Sequence, residues 1–232
     1  MKKHRFYVND DSLTPRNFLI KDMSLVKHIS LVLRLVKGDE IILFDGKGME
    51  YMGKIGYVDK VQVAGLITGS WEAEIPSKPK LLLAQALPRA GKMDEIVRMN
   101  TEIGVSGFIL FESEYSVAKA VSYTKTKMER LIKVSEEALR QSEGVLMPEF
   151  KGPIMFNDLL KADADHKLLL HSRVIEGSMD IKGLKINDGE TVVLVIGPEG
   201  GFSPNELLDA KAKGFKPIHL DMPILRTETA GV

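Results

Sequence analysis

The first 74 residues contain short apolar segments separated by turn-forming residues. Three of these segments have the pattern of β-strands, residues 41–44, 50–58 and 60–67. The sequence Asp45-Gly46-Lys47-Gly48 between the first two is typical of a hairpin turn. Apolar residues at helical spacing predict one helix over residues 25–35, ended by Gly38. Short strands with a single helix are typical of a small β-barrel.

The hydrophobic pattern changes after Glu74. Residues 75–79 include two prolines, which is typical of a linker. Beyond this linker, continuous apolar runs predict buried strands over residues 80–87, 108–111, 167–170 and 191–196. Amphipathic segments next to them predict helices over residues 92–103, 125–141 and 204–214. The alternation indicates a mostly parallel α/β sheet covered on both faces, and it divides the chain into domains 1–74 and 75–232.

Composition narrows the class of protein. The chain has 232 residues, of which 44% are hydrophobic and 28% charged, as is ordinary for a soluble globular protein. The absence of cysteine excludes disulfides, thiolate nucleophiles and cysteine-based metal sites. No apolar run approaches the length of a membrane span, and no apolar segment follows the basic N-terminus as it would in a secretion signal. We therefore expect a cytoplasmic protein without a membrane partner.

Charge is balanced over the whole chain but not along it. The 32 basic residues equal the 32 acidic ones, which by itself argues against a nucleic-acid-binding protein. Residues 1–38, however, contain eight Lys or Arg against three Asp, whereas residues 151–232 have two more acids than bases. A basic N-terminal surface could contact phosphates, or it could be a solvated face without a partner.

The segment 196–203, Ile-Gly-Pro-Glu-Gly-Gly-Phe-Ser, joins a predicted buried strand to a predicted helix. Its three glycines permit close approach of the backbone to a ligand, and ligands of α/β sheets bind where strands end. Ser203 and Glu206 have the spacing of a capping box. The segment matches neither a phosphate-binding P-loop nor a dinucleotide fingerprint. A tight turn between strand and helix is the alternative without a ligand.

A second segment, residues 224–230, has the sequence Ile-Leu-Arg-Thr-Glu-Thr-Ala. It offers a fixed cation at Arg226, a carboxylate at Glu228 and two hydroxyls. Arg226 could stabilise negative charge that develops on a substrate oxygen. An exposed ion pair together with a helix N-cap is the structural alternative.

Both segments occur within a longer series of short motifs. In chain order these are His4-Arg5-Phe6, Val32-Leu33-Arg34, Gly38-Asp39, residues 92–97 and 101–105, Gln141-Ser142, residues 197–203 and residues 224–230. In this series the chain resembles the ribosomal RNA small subunit methyltransferase E family over nearly its whole length. The resemblance implies transfer of a methyl group from S-adenosylmethionine to N3 of a uridine in 16S ribosomal RNA, as free RNA or in the assembled small subunit.

The resemblance also implies a fold and an assembly. The N-terminal domain would be a PUA-like, RNA-binding β-barrel, and the C-terminal domain a SPOUT-class α/β sheet with a trefoil knot. The family is active as a homodimer and uses no metal. It also continues past the position of Val232 into a last helix that helps to close the site.

Residue by residue, the resemblance implies that three loops bind the cofactor, mostly through backbone groups. The implied cofactor residues are Leu170, His171, Ile196, Gly197, Pro198, Glu199, Gly200, Gly201, Leu220, Met222, Ile224, Leu225, Arg226, Thr229 and Ala230. We expect Arg226 to stabilise charge on the uracil oxygens, and Glu228 to orient Arg226 or accept the N3 proton. A structural ion pair is the alternative for Glu228.

Candidate contacts to RNA phosphates are Arg5, Arg16, Lys27, Arg34, Arg89 and Lys92. For Arg5 a salt bridge to the second domain is the alternative. Three positions depart from the family pattern by loss of a cation, namely Tyr115, Glu143 and Pro223. These departures leave two other functions open, an RNA-binding protein with a vestigial methyltransferase domain and a SPOUT methyltransferase that acts on another RNA.

Overall fold

The computed structural model describes residues 3–89 and 91–232. Its backbone contacts divide the chain into two units. The first contains Met1–Ile75 and Leu139–Met147, and the second contains Pro76–Ala138 and Pro148–Val232. The inclusion of residues 139–147 in the first unit has no signal in the hydrophobic pattern. Within the part of the chain that the structure describes, no helix combines the length and the apolar composition that a membrane span requires.

The first unit is built on one five-stranded sheet. Its strands are β1 (His4–Tyr7), β2 (Asn17–Ile20), β3 (Glu40–Phe44), β4 (Met49–Val58) and β5 (Val63–Glu72). Their order is β1-β3-β4-β5-β2, with β1 parallel to β3 and the other neighbours antiparallel. The predicted hairpin turn joins β3 to β4, and its Gly46 and Gly48 have φ angles of 74° and 106°. Side chains on one side of the strands, among them Phe6, Phe18 and Leu43, form the apolar core.

The helix predicted over residues 25–35 is shorter than expected and differently wound. Helix α1 covers Met23–Lys27, and a π-helical turn follows over His28–Val32. The predicted end at Gly38 is wrong, because Arg34 already has a left-handed φ of 55° and directs the chain out of the helix. A residue other than glycine in this conformation gives no signal of the kind that glycine provides.

The second unit contains a seven-stranded sheet in which every neighbouring pair of strands is parallel. The strands are β6 (Lys80–Ala86), β7 (Gly107–Glu112), β8 (Glu149–Met155), β9 (His166–Leu170), β10 (Met179–Asp180), β11 (Thr191–Ile196) and β12 (Lys216–His219). Their order is β10-β12-β9-β11-β6-β7-β8, so β11 lies between β9 and β6. The parallel α/β architecture predicted from the apolar runs is confirmed.

Helices cover both faces of this sheet. They are α2 (Lys92–Glu102), α3 (Lys125–Ser142), α4 (Phe156–Leu159), α5 (Pro204–Ala212) and α6 (Thr227–Ala230). Alternate side chains of β6 pack into different apolar clusters: Ala84 joins the cluster that includes Ala210 of α5, whereas Leu83 joins the cluster that includes Ile96 of α2. Because both faces are buried, the strands are apolar throughout instead of alternating with polar residues.

Gly65 of β5 provides a test of packing in the first unit. A Cβ there would lie 2.2 Å from the Lys54 carbonyl oxygen and 2.6 Å from the Phe18 ring. We expect Gly65→Ala to lower the free energy of unfolding of this unit by about 1–3 kcal/mol, because paired backbones must move apart to admit the methyl group. Native-state hydrogen exchange of the β2 and β5 amides would measure the change.

Gly69→Ala is the matched control on the same strand. A Cβ at Gly69 would lie 3.9 Å from the Met52 Cβ, an ordinary contact distance. We expect the free energy of unfolding to change by less than about 0.5 kcal/mol. Equal exchange protection in the two variants would contradict the packing described for Gly65.

Candidate functional site

A cavity of about 450 Å³ lies at the carboxyl edge of the parallel sheet. Its walls are residues 170–172, 196–199, 201–202, 220 and 222–227, with Lys92 and Ala230. Most of these residues follow β9, β11 and β12, and ligands of α/β folds bind at this edge of the sheet. The volume is within the range of sites for small molecules and cofactors.

The structure brings most of the implied cofactor residues together around this cavity. All of them line it except Gly200 and Thr229. Gly200 instead packs against Tyr115. A Cβ added at Gly200 would lie 3.0 Å from the Tyr115 Cβ. The sequence did not point to Ser172 and Phe202, which also line the cavity, whereas Pro223 and Thr227 lie within the third loop that the resemblance implies.

The loop after β11 presents its backbone to the cavity. A Cβ on Gly197 would lie 2.9 Å from the Phe202 ring, so the ring and the loop can pack together only where residue 197 has no side chain. Gly201 has a φ of 73°, and its amide donates to the Pro198 carbonyl at 2.9 Å, which closes a tight turn. Without side chains at these positions, a ligand can approach the backbone of the loop closely.

Glu206 connects two loops at this edge of the sheet. The predicted capping box is confirmed, since the Ser203 hydroxyl accepts the Glu206 amide at 3.2 Å and the Glu206 carboxylate accepts the Ser203 amide at 3.0 Å. The same carboxylate accepts the Ser113 hydroxyl at 3.0 Å and the Glu114 amide at 2.9 Å. The loop after β7 is thereby bonded to the loop after β11 through a buried carboxylate.

A lysine and two carboxylates meet at the cavity. Lys92 Nζ lies 3.0 Å from a Glu228 oxygen and 3.6 Å from a Glu199 oxygen. Glu199 also accepts the Arg89 amide at 3.1 Å. Hydrogen bonds from its own backbone amide and then from Lys92 hold the pKa of Glu228 below its usual value. Glu228 is therefore a carboxylate at neutral pH.

Arg226 lies at the start of α6 with an exposed side chain. Its carbonyl accepts the amides of Thr229 and Ala230, which fixes its backbone. Its guanidinium has no hydrogen bond or ion pair to any residue within 3–89 or 91–232, and its charge contributes to the lowered pKa of Glu228. The expected pairing of Glu228 with Arg226 is replaced by a pair with Lys92.

Comparison with known proteins decides the family. A model of the RNA methyltransferase domain matches residues 76–232, and a model of the RNA methyltransferase PUA domain matches residues 20–66. The ribosomal RNA small subunit methyltransferase E of Aquifex aeolicus is 34% identical over 93% of this chain and 91% of its own length. The chain belongs to the ribosomal RNA small subunit methyltransferase E family.

Solved structures agree with this assignment. A methyltransferase from Legionella pneumophila, solved with bound S-adenosylmethionine, superposes with a TM-score of 0.91 at 27% identity, over 100% of this chain and 94% of that chain. An rRNA methyltransferase from Porphyromonas gingivalis superposes with a TM-score of 0.84 at 28% identity, over 98% and 93% of the two chains.

The candidate phosphate contacts of this methyltransferase E family member have different surroundings. Arg16, Lys27, Arg34 and Arg89 have exposed side chains that could reach a nucleic acid. Lys92 is only partly exposed and is paired with the two carboxylates at the cavity. The structure therefore separates four solvated cations from one that is part of the site.

Arg5 is occupied by contacts within the first unit. Its guanidinium forms an ion pair with Glu50, lies 5.2 Å from the centre of the Phe44 ring, and donates to the carbonyls of residues 143 and 144. The other Glu50 oxygen accepts the indole N–H of Trp71 at 2.8 Å. Because only 10% of its side chain is exposed, Arg5 has a structural role, but its ion pair lies within the first unit and is not the expected salt bridge to the second domain.

Glu206→Gln tests the bond between the two loops. The amide keeps the volume of the side chain but places an NH₂ group against the donors that the carboxylate accepted. We expect the free energy of unfolding to fall by about 1–3 kcal/mol, as measured by urea denaturation. Asp209→Asn on the same helix is the control, because Asp209 is exposed, and we expect a change below about 0.5 kcal/mol. Equal stability of the two variants would contradict this role of Glu206.

Proposed function

We propose that this protein transfers the methyl group of S-adenosylmethionine to N3 of a uridine in 16S ribosomal RNA. The observation that carries the proposal is the cavity of about 450 Å³ at the ends of β9, β11 and β12, lined by the two segments that characterise the family. Membership of the family and the fold shared with an S-adenosylmethionine-bound methyltransferase support it.

The cavity residues fit S-adenosylmethionine. Leu170, Leu220 and Leu225 supply apolar surface of the kind that a purine ring requires, and the glycine loop supplies backbone donors and acceptors at close range. When bound, this cofactor supplies an electrophilic methyl group, so a covalent enzyme intermediate is not needed. What the protein must add is the alignment of N3 with that methyl group and stabilisation of the uracil anion.

Arg226 is the residue that we assign to charge stabilisation. Loss of the N3 proton places negative charge on the two flanking oxygens of uracil. Arg226 lines the cavity, and its guanidinium has no hydrogen bond or ion pair among the residues that the structure describes. An Arg side chain stays charged throughout the pH range of the reaction and presents several donors in a fixed plane.

Glu228 is assigned a positioning role. A carboxylate with a lowered pKa is a weak acceptor for a proton from uridine, and its oxygen is already bonded to Lys92 at 3.0 Å. Glu228 and Glu199 together fix the Lys92 ammonium at the cavity. We assign the N3 proton to solvent water, without a protein base.

The RNA partner and the assembly belong to the same proposal. We propose that Arg16, Lys27 and Arg34 contact phosphates of 16S RNA, in free RNA or in the small subunit, because all three are exposed in the basic N-terminal segment. The trefoil knot, the homodimer and a cytoplasmic location, which the family resemblance implies, are proposed with it.

Two measurements test the function. Isothermal titration of the purified protein with S-adenosylmethionine should show saturable binding, and 16S RNA from cells that lack the gene should lose one N3-methyluridine that returns on complementation. Absence of binding would favour an RNA-binding protein with a vestigial domain. Binding with unchanged 16S RNA would favour another RNA as substrate, and either result would overturn the proposal.

Arg226→Ala and Glu228→Gln distinguish the two assigned roles. We expect Arg226→Ala to lower kcat for methyl transfer by about 10²-fold with the fold retained, because it removes a donor that acts on developing charge. We expect Glu228→Gln to lower kcat by less than about fivefold, and the pH profile between 6 and 9 to keep its shape, because Glu228 is ionised throughout that range. A larger loss in Glu228→Gln than in Arg226→Ala would reverse the assignment.

A further inference from the structure

A chain of hydrogen bonds links the end of β6 to the cofactor loop through α6. Gln85 is completely buried, and its Nε2 donates to the Thr227 hydroxyl oxygen at 3.0 Å and to the Ala86 carbonyl at 3.1 Å. The Thr227 hydroxyl in turn donates to the Gly197 carbonyl at 2.7 Å. Thr227 is also buried, and its bond to Gln85 lies away from solvent.

The chain of bonds has a direction. A hydroxyl has one proton, and the Thr227 proton is used on Gly197, because a carbonyl can only accept. Thr227 must therefore accept from Gln85, and only the NH₂ side of the amide can donate. A carboxylate or an amide oxygen at this place would take the Thr227 proton and release Gly197.

The orientation of the Gln85 amide leaves one of its two polar atoms without a hydrogen bond. With Nε2 toward Thr227, the Gln85 Oε1 atom is buried and has no hydrogen-bond partner among the residues that the structure describes. Buried polar atoms without partners are rare in native structures because each destabilises the fold. The two acceptors in front of Nε2, the Thr227 hydroxyl and the Ala86 carbonyl, fix the orientation of the amide although Oε1 is left without a partner.

Strand pairing places this chain of bonds at the cofactor loop. Gln85 is the register partner of Ile196, the last residue of β11, and Gly197 follows directly. Thr227 is the neighbour of Arg226 and the first residue of α6. One buried amide thus sets the positions of two cavity segments that are 30 residues apart in the sequence.

We propose that Gln85 is a positioning residue of the cofactor site, acting through Thr227 on the Gly197 carbonyl and on the start of α6. The inference rests on the proposed function and deepens it. Gln85 does not line the cavity, so it would act on the cofactor only through its neighbours. Its effect falls on cofactor affinity, since Gly197 belongs to the loop that presents backbone to the cavity.

Replacing the Gln85 donor by an acceptor tests the direction of these hydrogen bonds. In Gln85→Glu the carboxylate accepts the Thr227 proton, and the Gly197 carbonyl loses its donor. We expect the KM for S-adenosylmethionine to rise about tenfold at pH 8, with kcat at saturation changed less than about twofold. Burial raises the pKa of the introduced carboxyl group, and its protonated form can donate. The KM of the variant should therefore approach the wild-type value at pH 6, whereas the wild-type KM should not depend on pH in this way.

Variants of Thr227 test the same inference independently of Gln85. We expect Thr227→Val, which removes the hydroxyl with little change of shape, to raise the same KM about tenfold, and Thr227→Ser to restore it to within about twofold of wild type. Thr126→Val is the control, because Thr126 is exposed on α3, and its KM should equal that of the wild type. Thermal unfolding verifies that each variant is folded.

The outcomes separate this inference from the proposed function. If the wild-type protein does not bind S-adenosylmethionine, the proposed function fails. If it binds and Thr227→Val has the wild-type KM, or Thr227→Ser does not restore the affinity, Gln85 is not a positioning residue. A Gln85→Glu variant that does not fold leaves the Thr227 series to decide.

Discussion

The parallel pairing of β11 with β6 on one side and β9 on the other is the constraint on which the site depends. The register reaches the last residue of β11, where Ile196 is paired with Gln85 of β6 and with Leu170 of β9. All parallel strands end at the same edge, so the loops that follow them meet there without any long insertion. A shift of β11 by one residue would turn Val193 and Val195 away from their apolar cluster.

Apolar packing brings the strand ends together, but buried polar groups determine where the loops lie. Glu206 bonds the loop after β7 to the loop after β11, and Thr227 bonds that loop to α6. Hydrogen bonds in a dry interior are directional, whereas apolar contacts tolerate sliding of one surface over another. The cavity is consequently defined by a few directional bonds placed on a rigid sheet.

The sequence predicts the parts of this structure that depend on local chemistry. The apolar run of β11, the capping box at Ser203 and the hairpin turn at Gly46 each have a local cause, and all three are present. The apolar pattern did not predict β8 and β12, because prolines interrupt it in both strands. It did not predict β10, because that strand has only two residues. The pair of Lys92 with Glu228 could not be predicted, since 136 residues separate them and only the tertiary fold brings them together.

The buried pair of Arg5 and Glu50 has a consequence for spectroscopy. Glu50 also accepts the indole N–H of Trp71, which is the single tryptophan of the chain and lies in the first unit. Indole emission is sensitive to the polarity and the hydrogen bonding around the ring. Fluorescence excited at the tryptophan band therefore reports on the N-terminal sheet alone. The methyltransferase unit has no tryptophan and does not contribute to this emission. The protein contains an intrinsic optical probe that distinguishes the unfolding of one unit from that of the other.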